Sequence, residues 1–525
     1  MFSSCDLGVG KVTPSKMETG AEQVDAGNLE RQGVTRLFWR SDADKSLAVL
    51  QGDQGMSYKE LADRSARLGR YLLHSGCRRG DRIGLWAENS LFFVVAYLGI
   101  MRAGLVVVPF QTDASAETFA RIAKDAGLRW LLVSRRFAAR VSPWASDLNL
   151  PVTVDVQVAG LPDHSEVQFP EIDLHRDLAA LMFTSGSTGV PKGVMVTHGN
   201  IECNTRDIVQ YMGLTSADRV MVVLPFHYCF GLSLLHTHLM AGGLVVLNNQ
   251  FMYPERVLED MIAKACTGVA GVPSTYQILL RKSRFKEMQF PALRWFQQAG
   301  GKLHNPFIKE ILEAFPQVQY FLMYGQTEGT ARLSYLPPDR LAHKLGSIGR
   351  GLPSTRLEVL KADGTQVIPG SDEVGEIVAS GDNITLGYWN DPEETAKYFR
   401  EGKLYTGDLA RVDADGFIYI VERDREMIKS GGNRVSAKEV EDVIAEIAAV
   451  VEVAVIGVPH ELLGEAIKAF VVPARDAAMG AEAIIEHCRR RLPIFKCPES
   501  VEFLPALPHN SSGKVVKGKL KQMAS

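Results

Sequence analysis

Hydrophobic and polar positions alternate along the chain with two different periods, which predict helices and strands in turn. Ser57 and Glu60 have the spacing of a helix capping box, and apolar residues follow at helical spacing until Gly76. An apolar run at 82–86 then indicates a strand, and the same pattern recurs over 89–109. Further apolar runs that predict strands occur at 130–133, 179–183, 220–224, 244–247 and 320–323. This alternation predicts parallel strands covered by helices.

The pattern changes twice in the second half of the chain. Segment 356–379 has short alternating strands separated by Asp-Gly and Pro-Gly turns, which predicts a small β-barrel or meander. Near the C-terminus, Ser436 and Glu439 again have the spacing of a capping box, and apolar runs predict strands at 451–458 and 466–472 and a helix at 484–492. The last part of the chain is therefore predicted to be a compact α+β unit.

The predicted fold class is α/β, with a large N-terminal domain of parallel, helix-covered sheets and a small α+β C-terminal domain. The large domain includes the β-barrel-like part. A chain of 525 residues is too long for one ordinary core, which supports the division into domains. We place a polar N-terminal arm at 1–28, the large domain at 29–424 and the C-terminal domain at 425–525.

Composition narrows the function classes. An apolar fraction of 46% with 23% charged residues is typical of a globular protein, and a net charge of −3 gives no sign of a nucleic-acid partner. Segment 220–253 has no Lys, Arg, Asp or Glu, but Pro225, Gly231 and three histidines interrupt it. We therefore predict no transmembrane segment, and a strand, loop, short helix and second strand instead.

The cysteines indicate the compartment. Seven are scattered along the chain without any C-x-x-C pair. An odd, unpatterned set argues for a reducing compartment and against structural zinc. The first 28 residues also lack a basic start followed by an apolar run, so no secretory signal is expected. These observations predict a cytoplasmic protein.

The segment from Thr184 to Gly193 carries the strongest chemical signal. It follows the predicted strand at 179–183 as a loop rich in hydroxyls and glycines, with Pro191 and Lys192 near its end. Glycines let backbone N–H groups approach an anion, and the lysine adds a positive charge. The spacing differs from that of a Walker-type loop, so a different phosphate-binding loop is predicted.

This loop, followed by Thr197 to Asn200, resembles the phosphate-loop signature of the adenylate-forming (AMP-binding) superfamily, of the acyl-CoA synthetase or acyl-AMP ligase type. The later motifs of that superfamily follow in the same order at 324–328, 405–408, 423–435 and 511–514. Five ordered motifs are more specific than any one of them. The resemblance covers roughly Leu47 to Leu520.

The resemblance implies that ATP and Mg²⁺ are bound. The residues that it assigns to ATP are Thr184, Ser185, Gly186, Ser187, Thr188, Gly189, Lys192, Gly300, Gly301, Tyr324, Gly325, Gln326, Asp408 and Arg423. Thr327 would contact phosphate, and Glu328 would hold magnesium, a cation that prefers carboxylate and phosphate oxygens. Asp408 would accept hydrogen bonds from the ribose hydroxyls.

The hinge between the domains departs from the family pattern. Glu422 replaces the usual glycine, and Arg425 stands at the hinge position, which is commonly aspartate or lysine. Lys514 resembles the catalytic lysine, which a mobile C-terminal domain would bring between the substrate carboxylate and the α-phosphate. Taken alone, a lysine near other lysines in a tail is more often a solvated residue.

A second half-reaction is implied by the segment around Gly431 and Gly432. In acyl-CoA synthetases the matching loop opens a passage for a pantetheine thiol, and the implied passage residues are Lys429, Gly431, Gly432 and Arg434. A simple turn before the helix at Ser436 is compatible with the same residues.

The acyl pocket is expected near His227, Tyr228, Gly300, Gly301 and Arg332. Segment 226–231 contains no acidic residue, and an unpaired buried ammonium would be costly, so an amino acid with a free α-amine is disfavoured as the substrate. Either His227 or Tyr228 could be the residue that gates the pocket, since the motif is one position out of step with the commonest form.

We therefore expect a ligase that converts a small-molecule carboxylic acid and ATP to acyl-adenylate and pyrophosphate, then passes the acyl group to coenzyme A (CoA). The nearest alternative acceptor is the phosphopantetheine of an acyl carrier protein. An alternative of another class is a catalytically weak adenylate-binding module, motivated by Glu422 and Arg425. A homodimer is left open.

Overall fold

The computed structural model describes residues 30–38, 45–158, 160–185, 191–421, 427–474, 479–509 and 515–524. Within these residues, four sheets are covered by helices, and the predicted α/β fold class is confirmed. The α-helices are α1 (Tyr58–His74), α2 (Leu91–Arg102), α3 (Ala116–Ala126), α4 (Arg135–Ser146), α5 (Asp155–Val158), α6 (His198–Met212), α7 (Cys229–Ala241), α8 (Pro254–Ala263), α9 (Pro273–Lys282), α10 (Asn305–Ala314), α11 (Pro392–Tyr398), α12 (Ala437–Ile444), α13 (Ala481–Arg489) and α14 (Lys517–Ala524). Short 3₁₀ helices lie at Glu30–Phe38, Thr327–Gly329, Pro338–Arg340 and Ile494–Lys496.

Two large sheets form the body of the N-terminal part. Their strands are β1 (Leu47–Gln51), β2 (Gln54–Ser57), β3 (Arg82–Trp86), β4 (Val106–Pro109), β5 (Leu128–Val133), β6 (Val152–Val154), β7 (Leu178–Ser185), β8 (Pro191–Thr197), β9 (Arg219–Val222), β10 (Leu244–Leu247), β11 (Gly268–Gly271), β12 (Trp295–Gln298), β13 (Gln319–Tyr324) and β14 (Ser334–Leu336). The first sheet has the order β14-β13-β12-β11-β9-β10-β1-β2, and the second has β6-β5-β3-β4-β7-β8. Both are parallel except at their edges, where β2, β14 and β8 run antiparallel to their neighbours.

Local sequence accounts for the helices between these sheets. Ser57 and Glu60 form the predicted capping box at the start of α1, and Ser90 accepts from the backbone N–H of Phe93 at the start of α2. Helices α2 and α7 are apolar on nearly all sides because they are buried between the sheets, with α2 touching strands of both. The segment without charges at 220–253 forms β9, α7 and β10, as predicted.

The antiparallel pair β7 and β8 corrects one detail of the sequence prediction. The loop was expected to span Thr184 to Gly193, but β7 continues to Ser185 and β8 begins at Pro191, with Thr184 paired with Lys192. Pairing satisfies the backbone groups of these residues within the sheet. Strand pairing therefore extends further into the motif than predicted, and residues 186–190 lie outside the described part of the chain.

The third sheet follows as the predicted β-rich part. Its antiparallel strands are β15 (Gly351–Leu352), β16 (Thr355–Leu360), β17 (Gly375–Ser380), β18 (Phe399–Arg400), β19 (Lys403–Val412) and β20 (Ile418–Ile420). The C-terminal sheet contains β21 (Ile428–Ser430), β22 (Asn433–Val435), β23 (Val450–His460), β24 (Gly464–Pro473) and β25 (Ser500–Phe503), in the order β22-β21-β24-β23 with β25 beside β24. This sheet and its helices form the predicted small α+β unit.

Polar contacts join the C-terminal unit to the larger one. Asp442 of α12 accepts from Lys302 at 2.8 Å and lies 2.5 Å from the Nδ1 atom of His304. Arg281 donates to the carbonyl oxygen of Val450. Across the described part of the chain, no helix combines the length and apolar character needed to cross a membrane.

Candidate functional site

The site lies where neighbouring parallel strands end. Tyr324 is the last residue of β13, and Gly300 and Gly301 follow the adjacent strand β12. Ligands of α/β proteins bind outside the carboxyl ends of such strands. The structure therefore brings together two of the sequence motifs that the chain separates by more than twenty residues.

Two glycines of the site are required by their surroundings. A Cβ atom at Gly325 would lie 2.0 Å from the carbonyl oxygen of Ala331, which no side chain tolerates. Gly300 has a φ of +83°, and a Cβ there would lie 2.9 Å from Val272. The absence of side chains keeps both turns tight and leaves the strand ends open to a ligand.

Two carboxylates face this region, and each is held by a tyrosine hydroxyl. Tyr388 donates to Glu328 at 2.7 Å, and Tyr324 donates to Asp408 at 2.7 Å. Burial, reinforced by the neighbouring Glu328 carboxylate, raises the pKa of Tyr388 well above its ordinary value, so its hydroxyl remains a donor. Each of these tyrosine hydroxyls therefore helps to orient one carboxylate.

Glu328 belongs to the short helix Thr327–Gly329, which begins directly after Gln326. The Thr327 hydroxyl lies 3.5 Å from the sulfur of Cys229, at the start of α7. This contact places Thr327 against the cleft between α7 and β7. Glu328 offers hard oxygen ligands next to it, which suits magnesium.

Lys192 stands at the start of β8, beside the end of β7 where Thr184 lies. Its Nζ atom is 2.5 Å from Glu394 and 5.7 Å from the ring centre of Tyr388. The Lys192 ammonium helps to hold the pKa of Glu394 below its usual value. The side chain of Tyr388 thus contacts both the lysine and the carboxylate of Glu328.

Several predicted residues lie outside the described part of the chain. These are Gly186, Ser187, Thr188, Gly189, Arg423, Arg425 and Lys514, together with the side chains of Ser185 and Arg434. Their assigned roles stay predictions.

A cleft lies next to the predicted acyl residues, but none of His227, Tyr228, Gly300, Gly301 and Arg332 is among the residues that line it. Cys229, Ser233 and His236 line it from α7, and Thr327 and Ala331 line it from the β13 side. His227 and Tyr228 lie just before α7, with ring centres 4.3 Å apart. Burial lowers the pKa of His227 to about 4, so this histidine is neutral near pH 7. The arrangement favours neither residue as the gate.

Arg332 is almost completely buried, with 1% of its surface exposed. Its guanidinium donates to Gln297 at 2.7 Å, to Ser233 at 3.2 Å and to the hydroxyl of Tyr211 at 3.2 Å. It also lies over the ring of Phe230, 5.1 Å from the ring centre. All of these partners are uncharged.

The predicted thiol-passage segment forms the hairpin of β21 and β22. Lys429 lies in β21, and Gly431 and Gly432 form the turn with φ angles of +56° and +78°. The backbone N–H groups of Lys429 and Gly431 donate to Glu465 and Leu463, which belong to the C-terminal unit. A Cβ at Gly432 would meet nothing within 4 Å. The turn is therefore exposed and unobstructed.

Sequence reasoning missed the residues that hold the predicted ones. Tyr388 orients Glu328, and Glu394 holds Lys192. Gln297 and Ser233 both accept hydrogen bonds from Arg332. The one signal that the sequence offered for these residues was Gln297, a polar residue that directly follows the apolar pair Trp295 and Phe296. Partners that lie far apart in sequence leave no local pattern.

Comparison with known proteins places this site in a family context. The model of the AMP-binding enzyme family matches residues 38–389, and that of the AMP-binding enzyme C-terminal domain matches residues 439–514. A feruloyl-CoA synthase from Amycolatopsis sp. is 34% identical over 478 residues, which cover 90% of this chain and 95% of the relative.

Two further proteins are similar along nearly the whole chain. A long-chain-fatty-acid–CoA ligase from Salmonella typhimurium is 32% identical, over 94% of this chain and 95% of the relative. The solved structure of o-succinylbenzoate coenzyme A synthetase from Bacillus subtilis, in complex with ATP and magnesium ion, has a TM-score of 0.81 at 27% identity. That match covers 94% of this chain and 99% of the other.

Proposed function

The chain belongs to the AMP-binding enzyme family, and on that premise we propose that it is an ATP-dependent acid–thiol ligase. It activates a carboxylic acid as acyl-adenylate, with release of pyrophosphate, and then transfers the acyl group to CoA. The observation that supports this proposal is that Glu328 and Asp408 each accept a hydrogen bond from a tyrosine hydroxyl, that of Tyr388 and that of Tyr324 respectively.

In the first step an oxygen of the substrate carboxylate attacks the α-phosphorus of ATP, and the bond from that phosphorus to pyrophosphate breaks. Magnesium, when bound, neutralises phosphate charge that would repel the attacking carboxylate. Glu328 would hold the metal, and Thr327 would donate to phosphate. Asp408 would accept from the ribose hydroxyls, because Tyr324 already fixes one of its oxygens.

The remaining positive charge is assigned to two lysines. Lys192, which pairs with Glu394 at 2.5 Å, is proposed to contact the outer phosphates. Lys514 is proposed to contact both the carboxylate and the α-phosphate, on the strength of its motif alone.

In the second step the thiol sulfur attacks the acyl carbon, and AMP leaves. The exposed glycine turn at Gly431 and Gly432 supports its proposed role in admitting the pantetheine arm, with Lys429 and Arg434 beside it. This requires the C-terminal unit to rotate about a boundary that we propose after residue 424, with Arg425 at the hinge.

Coenzyme A is the proposed acceptor because the relatives named above are CoA ligases.

A cytoplasmic location is also proposed, and the free thiols of all six cysteines in the described segments support a reducing compartment. The homodimer stays open, and light scattering of the purified chain measures the oligomeric state.

The first experiment is acid-dependent exchange of labelled pyrophosphate into ATP, followed by thioester detection with CoA. Exchange and thioester together support the proposal. Exchange without thioester moves the acceptor to a phosphopantetheine acyl carrier protein. If ATP binds but no acid supports exchange, the adenylate-binding module replaces the ligase.

The variant Gly432→Leu tests the passage. We expect it to lower thioester formation while pyrophosphate exchange continues, because a side chain would obstruct the turn. Gly402→Leu is the matched control, since Gly402 is also exposed, has a φ of +72° and has nothing within 4 Å of its Cβ position. Equal effects of both variants would contradict the passage.

A further inference from the structure

Arg332 carries a charge that its surroundings do not balance. It is 1% exposed, and among the described residues no carboxylate lies within 4.0 Å of its guanidinium. Burying an unpaired charge is expensive, and buried arginines are normally paired with an acid or an anionic ligand. The structure therefore contains an unexplained cation beside the proposed acyl cleft.

One acidic residue on a neighbouring helix, Asp207, is already engaged. Asp207 lies one turn of α6 before Tyr211, and both of its oxygens accept from Ser354, at 2.8 and 3.0 Å. Tyr211 is itself fixed by stacking on Tyr335, with ring centres 3.9 Å apart. Asp207 therefore does not take the place of a direct counter-ion.

The cluster around Arg332 also has spare hydrogen-bond donors. The Nε atom of Arg332 and the Nε2 atom of Gln297 are buried and have no partner among the described residues. Gln297 is completely buried, and its Oε1 atom already accepts from Arg332. Two unsatisfied donors next to a buried cation form a site suited to an acceptor with negative charge.

Helix α7 relates this cluster to the reacting end of the cleft. Cys229 contacts Thr327 at 3.5 Å, and Ser233, four residues later, accepts from Arg332. Four residues of an α-helix rise roughly 6 Å. Both Cys229 and Ser233 line the cleft, so a substrate whose carboxylate reacts beside Thr327 extends along α7 toward Arg332.

We propose that Arg332, with Gln297 and Ser233, binds a second carboxylate on the substrate, and that this enzyme activates dicarboxylic acids. One carboxylate reacts with ATP beside Thr327, and the other is held by Arg332. The inference rests on the proposed ligase function and assigns its substrate class. Long unbranched fatty acids and other monoacids would leave the arginine unpaired, so they are poor substrates.

The neighbouring histidine does not supply the same charge. Burial lowers the pKa of His236, which also lines the cleft, to about 3, so it is neutral near pH 7. Its Nε2 atom lies 3.0 Å from the hydroxyl of Tyr97. Recognition of the second carboxylate therefore depends on Arg332.

The test compares adipate with its monomethyl ester, which keeps the chain but removes one charge. In pyrophosphate exchange we expect wild-type kcat/KM to favour adipate on the order of 100-fold, the effect of leaving one member of a buried charge pair unpaired. Arg332→Met should abolish this preference or reverse it. Arg332→Lys should keep part of it, because the charge remains but the planar group is lost.

Arg102→Met is the control, because Arg102 also lies over a phenylalanine ring, 5.1 Å from the centre of Phe169, but outside the cleft. It should leave the preference unchanged. Thermal unfolding with adipate provides a readout that needs no catalysis: adipate should raise the unfolding temperature of the wild type and not that of Arg332→Met.

The outcomes separate the two proposals. Equal use of adipate and its ester by the wild type, or the same preference in wild type and Arg332→Met, overturns the dicarboxylate inference and leaves the ligase intact. If neither acid supports exchange but adipate stabilises only the wild type, the ligase proposal fails and the dicarboxylate site stands. If adipate neither exchanges nor stabilises, the dicarboxylate inference is wrong.

Discussion

The proposed nucleotide end of the site and its proposed acyl end have opposite charge patterns. At the nucleotide end, the carboxylates of Glu328 and Asp408 are held by tyrosine hydroxyls. At the acyl end, the guanidinium of Arg332 is held by an amide and two hydroxyls. In both places uncharged groups form hydrogen bonds to a charged group and help to orient it.

This difference has a chemical meaning. A carboxylate that is oriented but not neutralised can take a cation or a sugar hydroxyl, whereas an arginine in the same condition takes an anion. Lys192 shows the contrasting case, because Glu394 neutralises it directly. The ends of the cleft therefore predict different ligands, and substitutions that keep shape but remove charge distinguish them.

The largest effect is expected from Glu328→Gln. It keeps the acceptor oxygen for Tyr388 but removes the charge proposed to hold magnesium, so kcat for pyrophosphate exchange should fall about 10²- to 10³-fold. Exposed Glu393→Gln, on the nearby helix α11, is the control and should have little effect. A Glu328→Gln variant that retained full activity would remove the metal role from this residue.

The second effect concerns the acyl end, where histidines are neutral. The folded pKa of His236, about 3, lies below its unfolded value, so the unfolded chain binds a proton first as the pH falls. Stability is thus full above about pH 6.5 and declines below it. Between pH 7 and pH 5 this one residue should account for about 2 kcal/mol of lost unfolding free energy.

His236→Gln removes the titrating group and tests this prediction. Its loss of stability between pH 7 and pH 5, measured by denaturant unfolding, should be smaller than that of the wild type. His343→Gln, at an exposed position, is the control and should follow the wild type. If His236→Gln also followed the wild type, His236 would not be the group whose protonation destabilises the fold.

The sequence predicted the strands and the site motifs better than the residues that contact those motifs. The strands predicted at 179–183 and 320–323 were found because buried parallel strands are continuous apolar runs, whereas β12 ends in two glutamines and was not predicted. The hairpin of β7 and β8 was missed because the polar motif up to Gly193 was interpreted as a loop, although its last residues pair with β7. Tyr388 and Gln297 were missed because they act through contacts with Glu328 and Arg332 that no local spacing encodes.

A third effect is expected at the other carboxylate of the nucleotide end. Asp408→Asn keeps an acceptor for Tyr324 but removes the charge, so KM for ATP should rise about 10- to 100-fold while kcat changes less. Tyr324→Phe removes only the orienting hydrogen bond and should raise KM by less than about 10-fold. Steady-state exchange at varied ATP measures both. If the two variants had equal effects, orientation rather than charge would determine ATP binding at this residue.

The smallest effect is expected from Glu394→Gln, which removes the nearer of two carboxylates beside Lys192, the other being Asp391 at 4.0 Å. The lysine would then be held less tightly and could contact phosphate, so KM for ATP should fall by about two- to fivefold, the scale of a partly exposed ion pair. Lys192→Met in the same assay should raise KM, because the cation is lost altogether. A rise in KM for Glu394→Gln would instead mean that the ion pair itself positions Lys192 for nucleotide. The ion pair of Lys192 with Glu394 would then assist ATP binding. Arg332 differs, because its proposed function depends on its lack of a carboxylate partner.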